Sequence, residues 1–153
     1  MREISRREMC IGLSAIAAMG TTAEPQTTTA PAASGTLAQS KVFPLDQMSV
    51  RKMANGGESR DVLRGTLATG EVVAVHESEQ PGGTPPNPPH TIQHSEIIVI
   101  MQGAVIFEHD GKSDKLGPGG VILVTPGTQH TIRNAGDETA KYCVVQIGGD
   151  TKK

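Results

Sequence analysis

Short apolar runs separated by turn-forming residues begin near Asp61 and continue almost to the end of the chain. Residues 62–67 and 71–77 flank Ala68-Thr69-Gly70, the layout of two strands joined by a tight turn. Residues 97–101 lead through Gln102-Gly103 into 104–108. Asp110-Gly111 then predicts a type I′ hairpin, a turn that needs positive φ at both central residues. The chain returns over 112–116, turns at Gly117-Pro118-Gly119-Gly120 into 121–124, and turns again at Pro126-Gly127. Residues 130–134 and 141–147 flank a last turn at Gly136-Asp137-Glu138. Beyond the N-terminal region no apolar pattern holds a helical period for three turns, and residues 46–53 are expected to carry one helical turn at most. Short strands with regular turn punctuation predict an all-β, single-domain sandwich or barrel of antiparallel strands.

Composition sharpens this picture. Phe43, Phe107 and Tyr142 are the only aromatic residues and tryptophan is absent, so the core must be built from Val, Ile, Leu and Met. The β-branched members of that set favour strands, while 18 glycines and 10 prolines supply turns. A chain of 153 residues suits one domain with one core.

The N-terminus reads differently. Arg2, Arg6 and Arg7 open a basic segment, residues 11–19 form a short apolar run, and Gly20-Thr21-Thr22-Ala23 follows as a small-residue cleavage region. This is the three-part layout of a signal peptide, and its apolar run is far shorter than the roughly 20 residues a membrane span needs. Ser5-Arg6-Arg7-Glu8-Met9-Cys10-Ile11 resembles the twin-arginine export motif. Residues 1–23 are therefore expected to be removed on export to the periplasm or beyond, leaving no membrane span in the mature form. Residues 24–40 are rich in Thr, Ala, Pro, Ser and Gln and are expected to form a disordered linker. Residues 41–153 are the expected barrel domain. Loss of Cys10 with the signal leaves Cys143 alone, which excludes an intramolecular disulfide.

Net charge is −2, and removing the three Arg and two Glu of residues 1–23 takes it to −3. With no basic stripe and almost no aromatic residues, the chain lacks what nucleic-acid binding requires.

The candidate chemistry is a cluster of metal-binding residue types. His90-Thr91-Ile92-Gln93-His94-Ser95-Glu96 carries two histidines and a carboxylate, and His130 follows the Pro126-Gly127 corner. Imidazole and carboxylate together suit a divalent ion of the Mn, Fe, Ni, Cu and Zn group. In a straight strand His90 and Glu96 would stand roughly 20 Å apart, so the segment must bend near Gln93 for both to reach one ion. The proline-rich run before it, residues 81–89, is stiff and suits a lip at a barrel mouth. His76 could face the same interior but suits a supporting role, and His109, beside the Asp110-Gly111 turn, is expected in solvent.

These residues resemble the cupin family, whose first motif is Gly-x5-His-x-His-x3,4-Glu-x6-Gly. His90, Glu96 and Gly103 match it, and Gly83 stands one residue early. The second motif, Gly-x5-Pro-x-Gly-x2-His-x3-Asn, matches at Gly119, Gly127, His130 and Asn134, with Thr125 in the proline position. The resemblance covers about residues 62–147. It implies a jelly-roll β-barrel with a metal in its mouth, held by His90, Glu96 and His130. The fourth family ligand falls on Ile92, which cannot coordinate. His94 could fill that place; the site could keep three ligands and open positions; or the site could have decayed. The resemblance implies a metal-dependent enzyme acting on a small organic molecule, of dioxygenase, isomerase, lyase or hydrolase type, with a non-catalytic small-ligand barrel as the alternative. The exposed edges of a small barrel make a homodimer the expected assembly.

Overall fold

The computed structural model describes residues 35–152. The signal segment, residues 1–23, and linker residues 24–34 lie outside the described residues.

The strands are β1 (Thr36–Leu37), β2 (Val50–Lys52), β3 (Glu58–Leu67), β4 (Val72–Gln80), β5 (His90–Thr91), β6 (Ser95–Gln102), β7 (Val105–His109), β8 (Lys112–Leu116), β9 (Val121–Val124), β10 (Gln129–Asn134) and β11 (Ala140–Ile147). One sheet runs β1-β3-β4-β11-β6-β9, with β2 paired to β3; the other runs β5-β10-β7-β8. The fold is the expected all-β jelly roll. The Asp110-Gly111 hairpin is also as expected, with φ of 45° and 77° at its two central residues.

Three expectations need correction. The strands are not all antiparallel, because β1 pairs with β3 in parallel. That strand lies inside the segment read as linker, so among the described residues regular structure begins at Thr36 rather than after residue 40. Its low apolar content hid it; the Thr66 N–H bonds the Gly35 carbonyl at 2.9 Å, and backbone pairing of that kind leaves little mark on sequence. The helical turn expected over residues 46–53 is a 3-10 segment, Leu45–Gln47, and Val50–Lys52 form strand β2, fixed by pairing to β3.

Both sheets contribute to one core. Ile98, Ile100, Tyr142 and Val144 from the first meet Val105, Phe107 and Ile132 from the second. Along β6 burial alternates from Glu96 through Ile98 to Ile100 while Ile97 and Met101 face outward, the period-2 signature of a half-buried strand. On its outer face Ile97 and Val99 stand opposite Leu123 and Val121 of β9, leaving an apolar strip beside the sheet edge.

Chain geometry between β5 and β6 creates the site. β5 belongs to the second sheet and β6 to the first, so the backbone crosses between them over Ile92, Gln93 and His94. This is the bend near Gln93 that His90 and Glu96 would need in order to reach one ion. Ile92 itself drops into the core at 5% exposure. The crossing is clamped from outside by the C-terminal turn: a Cβ placed on Gly149, whose φ is +53°, would lie 1.9 Å from the Gln93 carbonyl oxygen. Glycine is required there by both torsion and space.

Candidate metal and ligand site

His90 and His130 are directly opposed across the β5–β10 pair, and their rings meet at a centroid distance of 4.6 Å. Glu96 reaches the same space from β6. The Glu96 Oε2 oxygen lies 3.5 Å from His130 Nε2, and its Oε1 accepts from Gln146 Nε2 at 3.0 Å. Gln146 is in register with Glu96 on β11, so strand pairing delivers it to the carboxylate. His90, Glu96 and His130 line one cavity of about 210 Å³, together with His76, Gln146, Tyr142 and Ile98.

His94 stands apart from this lining. Its Nε2 lies 3.0 Å from Glu96 Oε1, and its Nδ1 contacts the carboxylate of Asp150 in the C-terminal turn. With both ring nitrogens turned to carboxylates, no lone pair of His94 faces the cavity as the ring is placed. Its visible role is to hold Glu96 in place from behind.

Electrostatics follow from these contacts. Burial alone would raise the Glu96 carboxyl, but hydrogen bonds from His130, His94 and Gln146 outweigh it and hold the group down at about 2. Burial pulls the His130 imidazole down, yet the Glu96 carboxylate and the Thr128 carbonyl more than compensate, and its pKa is raised. Burial lowers the pKa of His76, and burial pushes the Tyr142 hydroxyl up to about 12, keeping it a neutral hydrogen-bonding group. These shifts set a pH dependence. A depressed carboxyl contributes stability that is present above its unfolded value and lost as pH falls through the folded one. Chelator-treated protein is therefore expected to lose stability from roughly pH 5 towards pH 2. His130 runs oppositely: its contribution is complete below its ordinary value of 6.5 and is lost as pH rises through the raised folded value. Urea midpoints measured across this range should show both limbs, and Glu96→Gln should flatten the acidic one.

Whether a metal suits these residues can be judged from His130. Its Nδ1 lies 3.2 Å from the Thr128 carbonyl oxygen. A neutral ring donating there points the Nε2 lone pair at Glu96. Two electron-rich atoms aimed at each other need a proton or a cation between them. Their 3.5 Å separation is close to the roughly 3.4 Å expected for two ligands sharing a tetrahedral ion with bonds near 2.1 Å. The donor types and this pair therefore fit a divalent ion. Among the described residues, no group of three or more His, Cys, Asp or Glu side chains is placed to hold a metal ion, so the fit rests on the His130–Glu96 pair alone.

The remaining sequence candidates fall elsewhere. His109 is outside the cavity lining, stacked on Phe107 and 3.0 Å from Asp114. Asn134 ties its turn together by donating to the Gln80 and Glu138 carbonyls. Cys143 is a half-buried free thiol whose pKa is raised by burial. Gln146 and Asp150 were missed because they reach Glu96 and His94 from 50 and 56 positions away. Gln146 shares inward parity with Tyr142 and Val144, which was a usable signal; Asp150 left none.

Comparison with known proteins agrees with this architecture. Residues 75–146 match the family described as Cupin domain. No curated protein matches the chain. Among solved structures, KdgF from a Halomonas species is similar over 75% of this chain and 100% of its own, at 16% identity and a TM-score of 0.62. An RmlC-like cupin from Shewanella frigidimarina covers 73% of this chain and 95% of its own, at 16% identity and a TM-score of 0.60. The polyketide cyclase RemF from Streptomyces resistomycificus covers 71% and 80%, at 16% identity and a TM-score of 0.58. At such identities the likeness speaks for the fold alone. Family match and fold together support the cupin superfamily.

Proposed function

From a barrel of cupin fold as premise, we propose that this chain is a metal-dependent protein acting on a small organic molecule, with a divalent ion held by His90, Glu96 and His130. One observation carries the reading: the His130 nitrogen and the Glu96 oxygen face each other at 3.5 Å inside a cavity that His90 also lines. A bound ion of this class would act as a Lewis acid on a ligand oxygen. The chain's own contribution is to keep Glu96 ionised, to orient it through His94 and Gln146, and to screen the cavity with the Ile98, Ile132 and Val144 side chains. Fold neighbours such as the polyketide cyclase show that this architecture hosts enzymes, which supports an enzymatic reading without choosing a reaction.

Protein purified without chelators is expected to carry close to one equivalent of Mn, Fe, Ni, Cu or Zn by elemental analysis. His90→Ala and His130→Ala should each lower that content severalfold. A metal-free parent protein would end this reading and leave the alternative, a small-ligand barrel without a metal. The burial of Ile92 where the family places a ligand is the observation that favours that alternative.

Export completes the proposal. The twin-arginine-like segment, residues 1–23, would carry the folded, metal-loaded barrel across the membrane. N-terminal sequencing of exported protein is expected to begin near residue 24; retention of Met1 in that fraction would refute it.

A further inference from the structure

We propose that the cavity takes a small organic carboxylate, gripped by the Arg51 guanidinium, with the Gln80 side-chain carbonyl accepting a hydrogen bond from a hydroxyl on the same molecule. This deepens the reading above and rests on the same cavity, but it does not require the metal.

Arg51 lines the cavity from edge strand β2. Its guanidinium contacts only neutral atoms among those described, Met53 Sδ at 3.2 Å and Ser59 Oγ at 3.4 Å. Neither is a match for a fork of N–H donors whose natural counterpart is a planar carboxylate. The other acids at this end are already taken. Glu58 pairs with Lys52 and with Arg60 at 2.9 Å, and Glu79 pairs with Arg60 and with Lys141 at 3.4 Å. Both carboxylates are thus already paired with other cations, which leaves Arg51 without an anionic partner among the described residues.

Gln80 supplies an independent observation. It is 3% exposed and donates Nε2 to the Ile132 carbonyl at 3.1 Å. That bond fixes which way the amide points. Its Oε1 is then buried with no hydrogen-bond partner, in the wall of the same cavity. An orphaned buried acceptor is destabilising, so a ligand bringing an O–H there is favoured over one that does not.

Strand pairing sets the spacing. Arg51 stands opposite Ser59, Ser59 opposite Ser78, and Ser78 opposite Tyr142. Glu96 lies two inward-facing rows further along, aligned through Gln146 with Ala74. Four residues of strand are about 13 Å of backbone, which separates the Arg51 row from the Glu96 row. Gln80, paired with Ala140, lies one inward-facing row beyond Ser78 on the side away from Glu96, so a molecule of a few carbon atoms bridging Arg51 and Gln80 occupies the end of the cavity opposite Glu96.

The test is calorimetric binding of malate, its diamide and succinate to the full protein, with and without chelator, alongside Arg51→Met and Arg51→Lys. Arg51 is exposed on an edge strand, so neither change threatens the core. Malate should bind at least about tenfold more tightly than its diamide, and Arg51→Met should remove that advantage, as loss of a charge-assisted pair predicts. Arg51→Lys should restore it in part. Succinate, lacking the hydroxyl, should bind several times more weakly than malate. Equal binding of malate and its diamide, no binding of any probe at millimolar concentration, or indifference to Arg51→Met would overturn the proposal. Succinate equal to malate would remove Gln80 from it. Arg51-dependent binding to a protein that holds no metal would uphold this inference while refuting the metal centre. Stoichiometric metal with no carboxylate bound would do the reverse.

Discussion

Glu96→Ala is expected to melt about 10 °C below the parent and to carry no stoichiometric metal. The reason is the number of groups that depend on one side chain. His130, His94 and Gln146 all direct a ring or amide nitrogen at the Glu96 oxygens, and alanine leaves them facing each other without an acceptor. A stranded buried donor costs about 1–3 kcal/mol. The three losses do not add, because the histidines can change protonation and reorient, so a total of about 3 kcal/mol is expected. Glu96→Gln separates the two effects. It keeps the volume, retains an oxygen acceptor for part of the network, and should recover much of the melting temperature. It removes the anion, so metal content should stay low. Scanning calorimetry and elemental analysis of the same preparations decide the matter. A Glu96→Ala protein with parental stability would mean the carboxylate is not the hub its contacts indicate.

Ile100→Ala is expected to cost about 2–5 kcal/mol while leaving the site chemistry intact. Ile100 is 1% exposed, lies opposite Tyr142 in the β6–β11 pair, and does not line the cavity. Truncation there removes apolar burial and leaves a void that close-packed neighbours from both sheets can only partly fill. The denaturation midpoint should fall sharply. Metal content per folded molecule should match the parent, in contrast to Glu96→Ala. If Ile100→Ala lost metal as well, the site would be coupled to the core as a whole rather than built by local contacts.

Much of the barrel was legible in the chain because strand parity and turn chemistry are local. Asp110-Gly111 could hardly be anything but a tight hairpin, and the apolar run 97–101 announced a strand, although with apolar residues at both parities only the structure shows which face is buried. The candidate site was legible in its members but not in its arrangement. His90, Glu96 and His130 were recognisable from type and spacing, and the need for a bend at Gln93 followed from distance alone. What could not be read was which neighbours would answer them. His94 has the same residue type and nearly the same position as a ligand, yet Asp150 draws one nitrogen away and Glu96 takes the other. Arg51 belongs to no motif, and only strand β2 brings it to the cavity wall without a carboxylate to meet it.

The sequence by itself determined the fold class, the aliphatic character of the core and the identity of the groups able to carry chemistry. Each of these depends on side-chain type and on repeats only a few residues long. The tertiary structure alone decided that the chain changes sheets between His90 and Glu96, that Gln146 and Asp150 steady the histidine–carboxylate cluster, and that Gln80, in the cavity wall, keeps a buried oxygen unanswered. Those outcomes rest on pairing between residues as many as 56 positions apart. No local pattern encodes such partners, because the free energy that selects them belongs to the closed barrel as a whole.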